Sequence, residues 1–169
     1  FVPKPFTPFQ WVKMVDKDEI NKKISFLQNN IYGKGLELNW NEPELSILEG
    51  VFARGDRRLS QVIKSAWEKG AKFDGWHEHF NQEAWEQAFI ENNINKNSYI
   101  KNKDLEETLP WSHINVGVSQ EFLKKEYKNA FKEKYTPDCR FQSCTDCGVC
   151  FNFDTNLELV GDDNNASKS

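Results

Sequence analysis

Apolar residues recur at helical spacing over most of the chain. Ile20, Ile24, Leu27 and Ile31 fall on one stripe, with Asp16 or Asp18 placed to cap it and Gly33 placed to stop it. This predicts a helix over 17–31. A second helix is expected from Asn41 and Pro43 to Gly55, burying Leu45, Leu48, Val51 and Phe52, because a side-chain cap followed by a first-turn proline favours a helix start. Leu59, Val62, Ile63, Ala66 and Trp67 mark a third, ending at Gly70, and Ala84, Trp85, Ala88 and Phe89 a fourth, capped by Asn81. Ser119 is placed to cap "QEFLKKEYKNAFKEK", whose apolar face is Phe122, Leu123, Tyr127, Ala130 and Phe131, and Pro137 breaks that helix.

Strand signals are fewer. "GLELNW" alternates apolar and polar residues at period two, which predicts a short strand. Pro3, Pro5 and Pro8 give "FVPKPFTPFQW" the character of a strand end or extended loop, since each proline fixes φ and removes a donor. "LPWSHINVGVS" reads as a loop with a short strand, "ENNINKNS" as a polar loop, and "DTNLELVGDDNNASKS" as a disordered tail. No internal repeat or linker divides residues 1–153. The fold class expected is mainly α with a little β.

Composition narrows the function classes. The chain has 169 residues, enough for one domain with its own core, and an aromatic share of 14% that a polar disordered chain does not carry. A formal net charge of -4 gives no whole-chain attraction for phosphate backbones or anionic membranes, so nucleic-acid binding needs a local patch. The sequence has no run of eighteen apolar residues and no charged-then-apolar leader. A cytoplasmic protein without membrane partners is the expectation, and an opening of "FVPKP" without Met predicts a fragment or processed product.

All four cysteines fall in "CRFQSCTDCGVC", as Cys139-x4-Cys144-x2-Cys147-x2-Cys150. Two adjacent x2 gaps let three thiolates of one tight loop point at a common centre, as in runs that grip a cubane cluster, and Cys139 supplies a fourth corner. A 4Fe-4S cluster suits this spacing best. Zinc is the main rival, although zinc ribbons separate two C-x2-C knuckles by a longer loop whereas here the pairs overlap. Disulfides need an oxidising compartment, and cysteines three apart are hard to bridge without strain. Gly148 relieves crowding in the last gap, so its N–H is placed to approach a sulfur.

Other candidates are weaker. His77 and His79 in "GWHEHF" would face one way on a strand and share a metal, yet no third partner is nearby; packed-loop roles fit them better, and His113 likewise. Arg54, Asp56, Arg57 and Arg58 form either an anion clamp or a turn whose charges pair with each other, the commoner outcome. Lys124, Lys125, Lys128, Lys132 and Lys134 are diluted by Glu121, Glu126 and Glu133, which describes a solvated face better than an RNA-binding one. No complete active site stands out.

Several stretches, in order over roughly residues 1–150, resemble the C-terminal portion of cobalamin-binding-domain radical SAM proteins of the Fe-S oxidoreductase type. They are "FVPKPFTPFQW", "ILEGVFARGDRRLSQVI", "AWEKGAKFDGWHEHF", "LPWSHINVGVSQEFLKKEY" and "TPDCRFQSCTDCGVC". The resemblance implies that residues 1–16 end a late strand of a partial (β/α) barrel and its following loop. It makes 17–135 a helical extension, 136–153 a four-cysteine metal loop and 154–169 a tail. The C-x3-C-x2-C triplet that holds the catalytic cluster in such enzymes is missing here. That cluster, the S-adenosyl-L-methionine site and any cobalamin domain would therefore lie upstream, as partners within the same protein, and this chain alone would be inactive. By resemblance Cys139, Cys144, Cys147 and Cys150 hold an auxiliary cluster or a structural metal. Phe6 stands where the family pattern has His. The competing expectation is a non-catalytic module, stapled by zinc, that docks RNA or a protein partner.

Overall fold

A computed structural model describes residues 1–156 of the chain. Seven α-helices and one 3-10 turn are present among the described residues. They are α1 (Lys17–Asn30), α2 (Pro43–Arg54), α3 (Leu59–Glu68), α4 (Gln82–Glu91), α5 (Asn97–Ile100), α6 (Gln120–Ala130) and α7 (Val149–Phe153), with the 3-10 turn at His77–His79. The chain divides into two compact units, Phe1–His113 and the part that starts at Ile114.

In the first unit α3 packs on α4, α2 on α5, and α1 on α2. Ala66 of α3 and Ala88 of α4 have no exposed surface, and side chains this small let the two helices approach closely. Val51 of α2 and Val62 of α3 are also fully buried, each worth about 1.5–3 kcal/mol of transfer free energy. Three caps fall where the sequence places them, whereas α2 starts behind Glu42 with no side-chain cap, not at a capping Asn41. Asp16 accepts the Glu19 N–H at 3.0 Å, Asn81 the Ala84 N–H at 3.0 Å, and in the second unit Ser119 the Phe122 N–H at 3.2 Å.

The centre of the first unit is a buried cation. Arg54, the last residue of α2, is 0% exposed. Its guanidinium donates to the Val12 carbonyl at 2.8 Å and to the Lys101 carbonyl at 2.9 Å. Two backbone bonds run alongside, Met14 N–H to the Ile100 carbonyl and Lys103 N–H to the Trp11 carbonyl, both at 2.9 Å. Segments 11–14 and 100–103 thus lie side by side, and Arg54 ties both to α2. Gln10, also 0% exposed, accepts the Phe6 N–H at 3.1 Å and the Trp111 indole N–H at 2.7 Å.

The expected strands are corrected. Among the described residues there is no strand, so the fold is all-helical and not the edge of a radical SAM partial barrel. "FVPKPFTPFQW" folds into successive turns, with Gln10 N–H donating to the Thr7 carbonyl at 3.1 Å and Val12 N–H to the Phe9 carbonyl at 3.0 Å. Three prolines without donors leave too few N–H groups for a ladder. "GLELNW" is irregular and largely exposed, for alternation makes a strand only where a neighbouring strand takes up the backbone groups. "LPWSHINVGVS" is a run of turns, closed by Ser112 N–H to the Leu109 carbonyl at 3.0 Å and Gly117 N–H to Asn115 Oδ1 at 2.8 Å.

Helices differ from expectation in which face they bury. No residue of α1 is buried, and Leu27 and Ile31 are exposed. On α2 the buried positions are Pro43, Ile47, Gly50, Val51 and Arg54, while Leu45, Leu48 and Phe52 are only partly buried. On α3 Ile63 and Trp67 face solvent. The polar loop "ENNINKNS" leads into α5, whose Tyr99 and Ile100 are buried. The tail expected over 154–169 lies, from residue 157 on, outside the described residues.

Between α2 and α3 the Asp56 carboxylate accepts from the Arg58 side chain at 2.7 Å and the Arg58 N–H at 2.9 Å, and the Tyr99 hydroxyl donates to it at 3.4 Å. The Arg58 guanidinium holds Asp56 below its usual range. Stability from this group is therefore complete above the ordinary carboxylate pKa and lost as pH falls through the lowered one. Asp56→Asn is expected to flatten the acid limb of a denaturation-versus-pH curve below about pH 4. An unchanged limb would refute the assignment. Arg54→Met, which orphans two partly buried carbonyls, is expected to cost about 2–5 kcal/mol by urea titration, against under about 0.5 kcal/mol for the exposed Arg57→Ala.

Candidate metal centre

The cysteine segment belongs to the second unit. Past α6 the chain reverses at Glu133, which has φ 53°, and the Lys132 and Lys134 N–H groups both donate to the Asn129 carbonyl at 3.0 Å. The Thr136 hydroxyl donates to Glu126 Oε1 at 2.7 Å, fixing the return strand of chain against α6. Asp138 then closes a turn on itself. Its carboxylate accepts the Arg140 N–H at 2.9 Å and the Arg140 side chain at 2.6 Å, and its carbonyl accepts the Phe141 and Gln142 N–H groups at 3.1 Å. Cys139 lies inside this turn.

The next turn is shaped around a sulfur. Asp146 N–H donates to Cys144 Sγ at 3.4 Å. Asp146 at φ 59° and Gly148 at φ 95° both take the left-handed conformation, which turns the chain sharply between Cys144 and Cys150. Asp146, rather than Gly148, thus supplies the N–H that reaches sulfur. α7 begins at Val149 and places Cys150 in its first turn.

A backbone clasp fixes this segment to the start of α6. Ser119, whose hydroxyl oxygen caps α6, donates its N–H to the Cys147 carbonyl at 2.8 Å. Asn152 donates its side-chain amide to the Gly117 carbonyl at 2.8 Å and its N–H to the Gly148 carbonyl at 2.9 Å. The Phe153 ring lies so close over Gly117 that a Cβ there would fall 2.1 Å from a ring carbon. Gly117, Asn152 and Phe153 were not singled out by the sequence; only the turn-forming character of glycine marks one of them.

All four cysteines are free thiols, Cys144 exposed and Cys139, Cys147 and Cys150 partly buried. Among the described residues no three His, Cys, Asp or Glu side chains converge as a metal-holding group. The segment is thus brought together at the level of chain, not of sulfur. Its donor set fits a thiophilic metal: four sulfur ligands within twelve residues, one already accepting a backbone N–H in the manner that stabilises a bound thiolate. Convergence of several thiolates on one point is what a cation supplies, since like charges do not gather unaided.

No family model, curated protein or solved structure matches this chain.

The remaining candidates separate. His77 and His79 bracket the 3-10 turn, where residues two apart point about 120° from each other. Both are exposed rather than packed. His77 meets Glu42 at 3.4 Å, and the His79 ring stands 6.2 Å from that of Phe73. His113 is exposed. In "ARGDRR" Arg54 serves the fold and Asp56 pairs with Arg58, as in the reading of a self-paired turn. Lys125, Lys128, Lys132 and Lys134 are exposed together with Glu121 and Glu133, a face of mixed sign.

Gly117→Ala is expected to push Phe153 off and strain a position at φ 84°, costing about 1–3 kcal/mol locally. Thiol labelling of Cys147 and Cys150 should accelerate while Arg54-dependent urea unfolding of the first unit stays unchanged. Equal labelling rates in variant and parent would rule out the clasp.

Proposed function

We propose that this chain is the C-terminal part of a radical SAM iron-sulfur protein, with Cys139, Cys144, Cys147 and Cys150 holding a 4Fe-4S cluster accessory to the one that cleaves S-adenosyl-L-methionine. The observation that carries the reading is the Cys144–Gly148 turn, in which a backbone N–H already donates to sulfur and two left-handed residues bend the chain. The overlapping C-x2-C spacing and the ordered run of resembling stretches support it. In this reading the catalytic cluster and any cobalamin site are carried by sequence outside residues 1–169, and the chain contributes its helical units rather than a barrel edge.

A cluster held by four cysteines stores and passes single electrons. With every corner taken by this chain's thiolates, no iron is left open to a substrate, so relay or structural support is the role. A reducing cytoplasmic compartment goes with the reading, because the thiol is the form that binds metal. No helix among the described residues is long and apolar enough to cross a membrane.

The turn suits zinc as well as iron, which makes metal identity the deciding test. Anaerobic loading with iron and sulfide is expected to give about four irons per chain and a broad absorbance near 400 nm, as cubane stoichiometry requires. Cys144→Ala should lower the iron content at least about twofold while far-ultraviolet circular dichroism is retained, since the apolar faces of α2 to α4 do not use the metal. A colourless protein that takes one zinc in competition would replace this reading with the zinc-stapled docking module.

A further inference from the structure

The first unit holds a cavity of about 290 Å³ bounded by the start of α1 and by α2, α4 and α5. This is the lower edge of the size range of small-molecule sites. Its apolar lining joins Ile47 and Ile100 to three aromatic rings, Phe80, Trp85 and Phe89. Trp85 is held edge-on by Phe52, with centroids 5.3 Å apart and planes at 67°. The charged lining is unbalanced. Carboxylates of Asp16, Asp18, Glu44 and Glu86 share the lining with two ammonium groups, those of Lys17 and Lys96. Lys17 is ion-paired with Glu44 and Lys96 with Glu86, and Asp16, the cap of α1, is ion-paired with Lys13 at 3.7 Å. What the mouth offers a ligand is therefore the negative charge of Asp18 beside three neutralised pairs.

We propose that this cavity binds a small organic cation with a flat apolar body, of which an aromatic amine is the simplest form. Aromatic faces carry negative charge density and attract ammonium groups, most strongly when water is displaced. The acidic mouth adds to that attraction and repels a ligand carboxylate. The cavity has room for one or two fused rings and little more. This site lies wholly in the first unit and stands or falls independently of the metal reading.

The test is a nuclear magnetic resonance titration of the nitrogen-labelled chain with two probes of equal ring and opposite charge, tryptamine and indole-3-acetate. Saturable shifts centred on the Trp85 indole N–H are expected with tryptamine, and binding of indole-3-acetate at least about tenfold weaker. Asp18→Lys, exposed in the first turn of α1, should cut that preference at least about threefold with the spectrum otherwise preserved. Equal binding of both probes, no saturable shift at Trp85, or an unchanged preference in Asp18→Lys would each overturn the proposal.

Discussion

Arg54 sits where an all-helical fold has a backbone problem to solve. Two segments, 11–14 and 100–103, run side by side along the core with no sheet to absorb their carbonyls, and a carbonyl removed from water and left unpaired costs about 1–3 kcal/mol. The planar fork of a guanidinium reaches two such acceptors at once, at 2.8 and 2.9 Å. Burial pushes its pKa down, yet a guanidinium stays protonated, so the donors persist at any physiological pH. An ammonium would offer a point charge rather than a fork, and an aliphatic side chain would satisfy neither carbonyl. The consequence spreads outward. Fixing Val12 and Lys101 seats Met14 against the core on one side and Ile100 on the other, and Ile100 with Ile47 of α2 then lines the cavity beside α1.

Helices with caps were legible because their signals are local. Asp16, Asn81 and Ser119 cap as their side chains dictate, whatever the tertiary setting. Burial was less legible, because periodicity shows that a stripe exists and not that anything covers it. The stripe of α1 is apolar and yet has no buried residue, while α2 turns a charged residue inward at Arg54, a choice that only the positions of Val12 and Lys101 explain. Alternation and prolines are strand signals of the segment alone, but a strand is defined by its neighbour. With none available, "GLELNW" stays open and the proline-rich opening curls into turns. Tyr99 and Ile100 were hidden for the opposite reason, since four helical residues after a polar run leave no period to detect.

The cysteine segment divides the same way between what spacing can carry and what it cannot. Its clustering and the need for a glycine at 148 are written in the sequence. The clasp is not, because it runs through the Cys147, Gly117 and Gly148 carbonyls and an asparagine amide that no motif marks. That clasp engages the backbone of the segment and leaves its sulfurs, the Asp146 bond to Cys144 apart, available as ligands. The scaffold thus holds the chain in place through its backbone rather than through its thiols.

For the cluster proposed on these thiolates, exposure favours the accessory role over the catalytic one. Radical chemistry on a substrate needs water and competing donors kept out, and Cys144 is open to solvent, as are Phe141 three residues before it and Phe151 next to Cys150, at 81% and 91%. A centre held at such a surface would be poorly shielded for a carbon radical but well placed to exchange an electron, which demands short distance and no enclosure. The exposed phenylalanines belong to the same logic: apolar rings flanking the ligands would lower the local dielectric only once another surface covers them. The redox properties of a cluster on these four thiolates would then be set by what docks against the segment rather than by the segment alone.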